Sequence, residues 1–433
     1  MINPTTICAI ATAQGGAIGI IRVSGPDSIS IVDSIFRGRR SLIDAPGYSL
    51  HYGSIVGSKS EGQPVIDDVL LSLFRAPHSY TGEDSVEISA HGSPYILQSI
   101  CSLLIQQGCQ PAAPGEYTQR AFLNGKLDLT QAEAVADLIA SQNASQHRVA
   151  MQQMRGGISQ KLSDLRTQLL KLTSLLELEL DFSEEDVEFA SREALINIAR
   201  EIRDEITRLS SSFSAGNAIK NGIPVAIIGA PNVGKSTLLN ALLHEDKAIV
   251  SAIQGTTRDT IEDSINISGS LFRIIDTAGL RHTDDVIEQM GIERSRKAAE
   301  RAQIIILMRD NDTDYPTLDI RDDQTVIKVH NKSEHFQALT GKGMDWLEHE
   351  LLKNVPTANN DEVLITNIRH KQALDTSLLD IQRTLDALEH NLPGDLIAED
   401  LRQCLHHLAE ITGGAIDTEE VLGNIFSHFC VGK

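Results

Sequence analysis

The run Gly229-Ala-Pro-Asn-Val-Gly-Lys-Ser-Thr237 has the spacing G-x-x-x-x-G-K-[ST]. Each residue type has a task beside a phosphate chain. Gly229 and Gly234 let backbone N–H groups turn inward, Lys235 brings a point charge to the β/γ oxygens, and the Ser236 hydroxyl can ligate Mg²⁺. Asn232 and Val233 complete the loop. Thr237 opens a helix whose N-terminal partial charge faces the same anion. Further groups follow in the order a nucleotide switch needs. Thr257, in Gly255-Thr-Thr-Arg-Asp259, is a candidate second Mg²⁺ ligand that senses a γ-phosphate. In Asp276-Thr277-Ala278-Gly279, Asp276 would hold the metal through water and the Gly279 N–H would reach the γ-phosphate. The chemistry expected is binding and transfer of a phosphoryl group.

These groups need strands that end in loops. Val225-Ala-Ile-Ile reads as a buried strand before the phosphate loop, and Leu238–Leu243 as an amphipathic helix after it. Leu271-Phe-Arg-Ile-Ile, Gln303-Ile-Ile-Ile-Leu and Thr325-Val-Ile-Lys-Val-His read as further strands. This alternating texture spans residues 216–356. On either side, over 119–215 and 357–433, apolar residues recur at three and four (Leu169, Leu172, Leu176; Leu374, Leu378, Ile381), as long amphipathic helices require. An α/β domain inserted into a helical domain is the expectation, because packed helical halves would bring the ends of the insert together. The acidic stretch Glu177–Glu188 reads as a solvated helix face and loop. Residues 1–118 mix short β-rich runs (Ala17–Val23, Asp68–Phe74, Ser85–Ser89) with one helical pattern at Tyr95–Gln107, an α+β module. The fold class expected is thus multidomain, α/β and α+β.

The chain has 433 residues, with 38 Lys+Arg against 59 Asp+Glu and a net charge of −21. That balance argues against a surface that grips nucleic acid over its whole extent, and predicts weak, salt-dependent RNA binding by the chain alone. At 41% hydrophobic and 22% charged, the composition is that of a folded chain, not a disordered one. No apolar run approaches the ~18 residues of a membrane span, so no membrane contact is expected. The five cysteines are scattered, with no Cys-x-x-Cys pair. A disulfide framework or zinc site is not expected, and a reducing cytoplasm fits best.

Taken together, the loop and strand elements resemble a Ras-like P-loop GTPase domain of the translation-factor type. Asn331, Lys332 and Glu334 stand in the place of the guanine-reading Asn-Lys-x-Asp. There are three departures from the pattern. The acid is Glu334, one methylene longer than Asp. The segment from Glu334 to Gly343 is short, where such domains usually place a helix and a strand. Leu280 stands where small switch GTPases use a water-orienting Gln, and no arginine finger is evident.

A more specific resemblance covers essentially the whole chain. It rests on the Thr-Thr-Arg-Asp switch, Ile20-Ile-Arg22-Val-Ser-Gly, Tyr80-Thr-Gly-Glu-Asp84, Glu87 with His91-Gly92, Pro114-Gly-Glu-Tyr-Thr-Gln-Arg-Ala-Phe-Leu-Asn-Gly-Lys126 and the terminal Phe429-Cys-Val-Gly-Lys433. With these the chain resembles the MnmE (TrmE) family of tRNA modification GTPases. The resemblance implies a homodimer that binds GTP and GDP, is activated by K⁺ and modifies the wobble uridine U34 of tRNA at C5, together with the FAD-dependent protein MnmG (GidA). It implies a folate-binding, dimer-forming N-terminal module that takes 5-formyl-tetrahydrofolate or a related one-carbon derivative at Arg22, Glu87, Lys126 and Lys433, with the thiol of Cys430 nearby. Arg and Lys suit a glutamate tail, and Glu87 suits the donor edge of a pterin. In the GTPase part it assigns nucleotide contacts to Ser251, Ala252, Ile253, Gln254, Gly255 and Thr256 besides the loop residues. K⁺ is assigned to Asn232, Ser251, Ile253 and Thr256, and water orientation to Glu288. A monovalent ion beside the phosphates would replace the missing arginine. Two N-terminal stretches differ from many relatives: Ala11–Ala17 lacks a Pro-Pro-Gly-Arg, and Ala113 stands where Arg is common.

Two other readings remain at this point. A ribosome-assembly GTPase of the Era/EngA type would share the loop and switch but lacks this N-terminal module and cysteine-containing tail. A folate enzyme regulated by its GTPase domain would turn over one-carbon units without the flavoprotein.

Overall fold

The computed structural model describes residues 5–13, 15–57, 62, 64–181, 191–245, 263–275, 296–355, 362–390 and 392–414, with 422, 425, 426, 429 and 432 near the C-terminus. The chain divides into two compact units: residues 1–139, 153–167 and 402–433, and residues 140–152 and 168–401.

The first unit is built on a seven-stranded sheet of order β3-β4-β5-β6-β2-β1-β7. Its strands are β1 (Ile7–Ile10), β2 (Ile18–Ser24), β3 (Phe36–Gly38), β4 (Ser49–Val56), β5 (Val65–Phe74), β6 (Ser85–His91) and β7 (Gln110–Pro111). All neighbours pair antiparallel except β1 with β7. Alternation within β5 explains its place. Asp67, Val69, Leu71 and Leu73 are buried while Asp68 and Leu70 face outward, the period of two that a one-sided sheet requires. Helices α1 (Ser28–Ile35) and α2 (Pro94–Gln106) belong to this unit, and Leu97, Ile100 and Leu104 of α2 join Ile21, Val23, Leu71 and Ile88 in one core. Helices α3 (Glu116–Leu123) and α4 (Leu129–Ala140) follow. Leu129 and Ala132 of α4 pack with Leu422 and Phe426 from the C-terminal stretch.

Helices α5 (Ala144–Met154) and α6 (Gly157–Asp181) come next in the chain. In the second unit, α7 (Arg192–Ser211) starts at Ser191, whose hydroxyl accepts from the Ala194 N–H as an N-cap. Its stripe Leu195, Ala199, Ile202, Ile206 and Leu209 is fully buried at helical spacing. The expected acidic loop falls largely in residues 182–190, outside those described.

After α8 (Phe213–Asn221) comes a five-stranded sheet of order β12-β11-β8-β10-β9. Its strands are β8 (Ile223–Gly229), β9 (Asp263–Ile267), β10 (Ser270–Ile274), β11 (Ile304–Arg309) and β12 (Thr325–His330). β8 is central and runs parallel to β10 and β11, and β12 runs parallel to β11. β8 is apolar on both faces. Val225 and Ile227 join one core, Ala226 and Ile228 the other, as a covered parallel strand must. Helix α9 (Lys235–Glu245) leaves from the carboxyl end of β8, where open parallel sheets bind ligands. Between β12 and α10 (Met344–Leu352) no further helix or strand intervenes. The link from Asn331 to Gly343 holds one isolated bridge, Gln337 with Lys342. Helices α11 (Ile368–Glu389) and α12 (Gly394–Thr412) complete the described elements. Within the second unit α11 packs along α7, and Arg200 pairs with Glu389 at 2.7 Å.

Candidate functional site

The phosphate loop joins β8 to α9. Its conformation needs glycine at two points. Gly234 has φ +97°, a left-handed value, and a Cβ there would stand 2.3 Å from the Asn331 side-chain nitrogen. At Gly229 a Cβ would stand 2.5 Å from the Met308 carbonyl of the neighbouring strand. Val233 is fully buried beneath the loop, and Asn232 is exposed at φ +62°. Lys235 folds back on the loop: its Nζ donates to the carbonyls of Gly229 (2.9 Å) and Ala230 (2.8 Å). Burial lowers its pKa. A half-buried ammonium held by neutral carbonyls gains from an anion arriving beside it. Ser236 and Thr237 lie half-buried in the first turn of α9.

Asn331 and Lys332, far away in sequence, close on this loop from the end of β12. The Asn331 Nδ2 donates to the Val233 carbonyl at 2.8 Å, and its Oδ1 accepts from the Ala338 N–H at 3.0 Å. The residue is buried. The Lys332 Nζ donates to the Asn232 carbonyl at 3.0 Å and pairs with Asp310 at 2.8 Å. Asp310 was not singled out by its sequence context. It follows the buried strand β11 directly, which is the signal that could have found it. Lys332, then the Thr313 hydroxyl, hold its carboxyl below the usual carboxylate range. Glu334 is exposed on a tight turn, with the Ser333 hydroxyl accepting from the Phe336 N–H at 3.1 Å. Asn232 to Thr237, Asn331 and Lys332 are therefore one constellation, with Glu334 beside it. Ser251, Ala252, Ile253, Gln254, Gly255, Thr256, Thr257, Asp276, Thr277, Ala278, Gly279 and Glu288 lie outside the described residues, as do Cys430 and Lys433.

The first unit carries a second constellation. Arg22 on β2 stands opposite Glu87 on β6 in the sheet register. Its Nε and Nη2 both reach Glu87 Oε1, at 3.0 and 2.8 Å. The guanidinium also donates to the Gly432 carbonyl at 3.3 Å and lies over the rings of Tyr80 and Tyr117, 5.7 and 5.5 Å from their centroids. The Tyr117 hydroxyl donates to the Arg22 carbonyl at 2.8 Å, and burial raises its pKa. Lys126 stands apart from this pair in its contacts, donating to the Pro77 carbonyl at 3.0 Å. The motif acids and arginine have a structural duty. Buried Arg120 ties Glu83 (3.1 Å) to Glu116 (2.8 Å), and Glu83 accepts from Ser24 at 2.8 Å. Tyr80 and Tyr117 lie inside sequence motifs, yet only the structure reveals their stacking on Arg22.

Residues 6–126 match the family model described as the GTP-binding protein TrmE N-terminus, and residues 129–430 the model of the MnmE helical domain. The chain belongs to the MnmE family. Proteins called tRNA modification GTPase MnmE from Bacteroides fragilis (strain YCH46) and Parabacteroides distasonis are each 52% identical to it, covering 100% and 99% of this chain and 100% of each relative. The MnmE of Flavobacterium johnsoniae is 47% identical over 100% of both chains. The first of these alignments runs to 470 positions against 433 residues here, so at least 37 positions are filled in that MnmE and not in this chain. Among the described residues, no helix is long and apolar enough to cross a membrane.

Proposed function

We propose that this chain hydrolyses GTP to drive modification of tRNA at the wobble uridine U34. The observation that carries the reading is the clasp of Asn331 and Lys332 on the phosphate loop: the segment that would read the base is bonded to the segment that would hold the phosphates. Binding of one end is thereby felt at the other.

The chain's own groups divide the work. Lys235 exchanges its two loop carbonyls for phosphate oxygens. The loop N–H groups and the start of α9 complete the anion cradle. Ser236 and Thr257 would hold Mg²⁺. Asn232, Ser251, Ile253 and Thr256 would hold K⁺, and the side-chain amide oxygen of Asn232 is a donor suited to a hard cation. Bound beside the phosphates, the two ions would supply positive charge where negative charge develops. Glu288 would orient the attacking water. Glu334 would accept from the guanine N1–H and amino group.

We read residues 216–356 as the GTPase domain, inserted into a helical domain of 119–215 and 357–433, and residues 1–118 as the folate-binding and dimerisation module. The cross-strand pair supports a ligand site there. Both Arg22 nitrogens meet one oxygen of Glu87, so the other can accept from a pterin. Arg22 then orients Glu87, while Lys126 and Lys433 suit the glutamate end of a folate such as 5-formyl-tetrahydrofolate. The product would be an aminomethyl-type substituent at uridine C5, formed in the cytoplasm with the FAD-dependent MnmG, which would supply much of the tRNA-binding surface.

Hydrolysis of GTP, ATP and XTP measured in KCl and in NaCl tests the core of the proposal. Fast turnover of GTP in KCl alone is expected. Equal rates in the two salts would sink the potassium assignment, and equal use of ATP would sink the guanine assignment.

A further inference from the structure

Three of the five cysteines, distant in sequence, meet on one face of the first unit's sheet. Cys8 lies on β1 and Cys109 immediately before β7. These strands pair in parallel with Cys8 opposite Pro111. Alternation along a strand therefore puts residue 109 on the face that Cys8 occupies. Cys101 lies four residues after Leu97 and three before Leu104, on the stripe of α2 that packs on that face. Cys8 and Cys109 are buried in one core cluster, and half-buried Cys101 packs against it. Among the described residues no group of His, Cys, Asp or Glu is arranged to hold a metal ion.

We infer that Cys8 and Cys101 form a reversible disulfide when the protein meets a peroxide. Cys101, the half-exposed member, is where the oxidant arrives. Its thiol and one hydrogen peroxide give a sulfenic acid and water, as the S–O bond forms and the O–O bond breaks. The Cys8 sulfur then attacks the Cys101 sulfur. The S–S bond forms, the S–O bond breaks, and the departing hydroxide leaves as a second water with the Cys8 proton. Two thiols lose two electrons and one peroxide gains them. The neighbouring Cys101 and Cys109 thiols lower the pKa of Cys8, which favours it as the attacking sulfur. The new bond would tie α2 to β1, where the next residue, Ala9, stands opposite Arg22. A thiol group at this place links the redox state of the cell to the sheet that carries the Arg22–Glu87 pair.

The full-length reduced protein, treated with hydrogen peroxide, quenched and denatured, is assayed for thiols and mapped by mass spectrometry. The count should fall from the five of the sequence by two and recover fully with dithiothreitol. The linked peptides should be those of Cys8 and Cys101 within one chain. Cys101→Ser, at a half-buried position, should abolish the loss, and Cys404→Ser should leave it intact. An unchanged thiol count, a link through Cys404 or Cys430, a link between chains, or a two-thiol loss in Cys101→Ser would each overturn the assignment.

Discussion

The Asn331 side chain donates its amide hydrogen to the Val233 carbonyl at 2.8 Å across 98 residues of sequence. Both partners are buried. A buried carbonyl deprived of its donor costs about 1–3 kcal/mol. Asn331→Asp keeps the shape but replaces the donor by an acceptor, so it should lower the stability of the second unit by about that amount. It should also weaken GDP binding by on the order of tenfold, because the loop loses its brace. Thermal melts and nucleotide titrations measure the two effects. A variant with unaltered GDP affinity would show that the brace does not shape the loop.

Gly234→Ala probes the same contact from the other side. The added Cβ falls 2.3 Å from the Asn331 nitrogen, at a φ of +97°. Backbone strain of this kind costs about 1–3 kcal/mol, and the nitrogen cannot retreat without losing Val233. Nucleotide binding should disappear in isothermal titration while the far-ultraviolet dichroism of the chain is kept.

Lys332 rests on Asp310 as well as on Asn232. The Asp310 carboxyl titrates below its unfolded value, held down first by Lys332. Its contribution to stability is thus fully present above an unfolded pKa of ~3.9 and is lost as the pH falls through the lower folded value. Asp310→Asn should therefore be less stable than the parent at pH 7, with the gap closing as the pH falls below about 4. Urea midpoints of both proteins along that range are the measurement, and a gap that widens toward acid would contradict the pairing.

The phosphate loop is legible in the sequence because everything that shapes it is local: a buried strand, two glycines and the first turn of a helix. β12 is legible for the same reason, as is the shortness of the link that follows it. What is not legible depends on register and on long-range packing. No pattern announces that Arg22 faces Glu87, since one residue of slip would separate them. Asp310 reads as one more acid in an acidic loop until Lys332 comes to it. The three thiols at 8, 101 and 109 look scattered because a sheet and a helix must form before they meet.

The Arg22–Glu87 pair separates the proposed folate site from nucleotide chemistry. Glu87→Gln preserves size while removing the charge that both meets Arg22 and would accept from a pterin. Charge-assisted bonds are roughly twice as strong as neutral ones, so 5-formyl-tetrahydrofolate should bind about tenfold or more weakly with GDP affinity unchanged. A parallel loss of GDP binding would indicate a folding defect instead.

Glu334 is the residue proposed to read the base. It is exposed on the turn after Lys332, and its carboxylate is one methylene longer than the acid usual at this place in GTPases. Guanine offers it an N1–H and an amino group, whereas hypoxanthine offers the N1–H alone. If the longer arm still makes both bonds, GTP should bind more tightly than ITP by about tenfold, the worth of one hydrogen bond to a charged acceptor. Glu334→Ala should erase that preference and leave the phosphate contacts alone. Glu334→Asp should keep it if the turn can bring the shorter arm within reach, and lose it if the turn is fixed by the Ser333 hydroxyl bond to Phe336. Competition of GTP and ITP for the parent and both variants separates these cases. An equal affinity of the parent for both nucleotides would mean that Glu334 does not read the base at all.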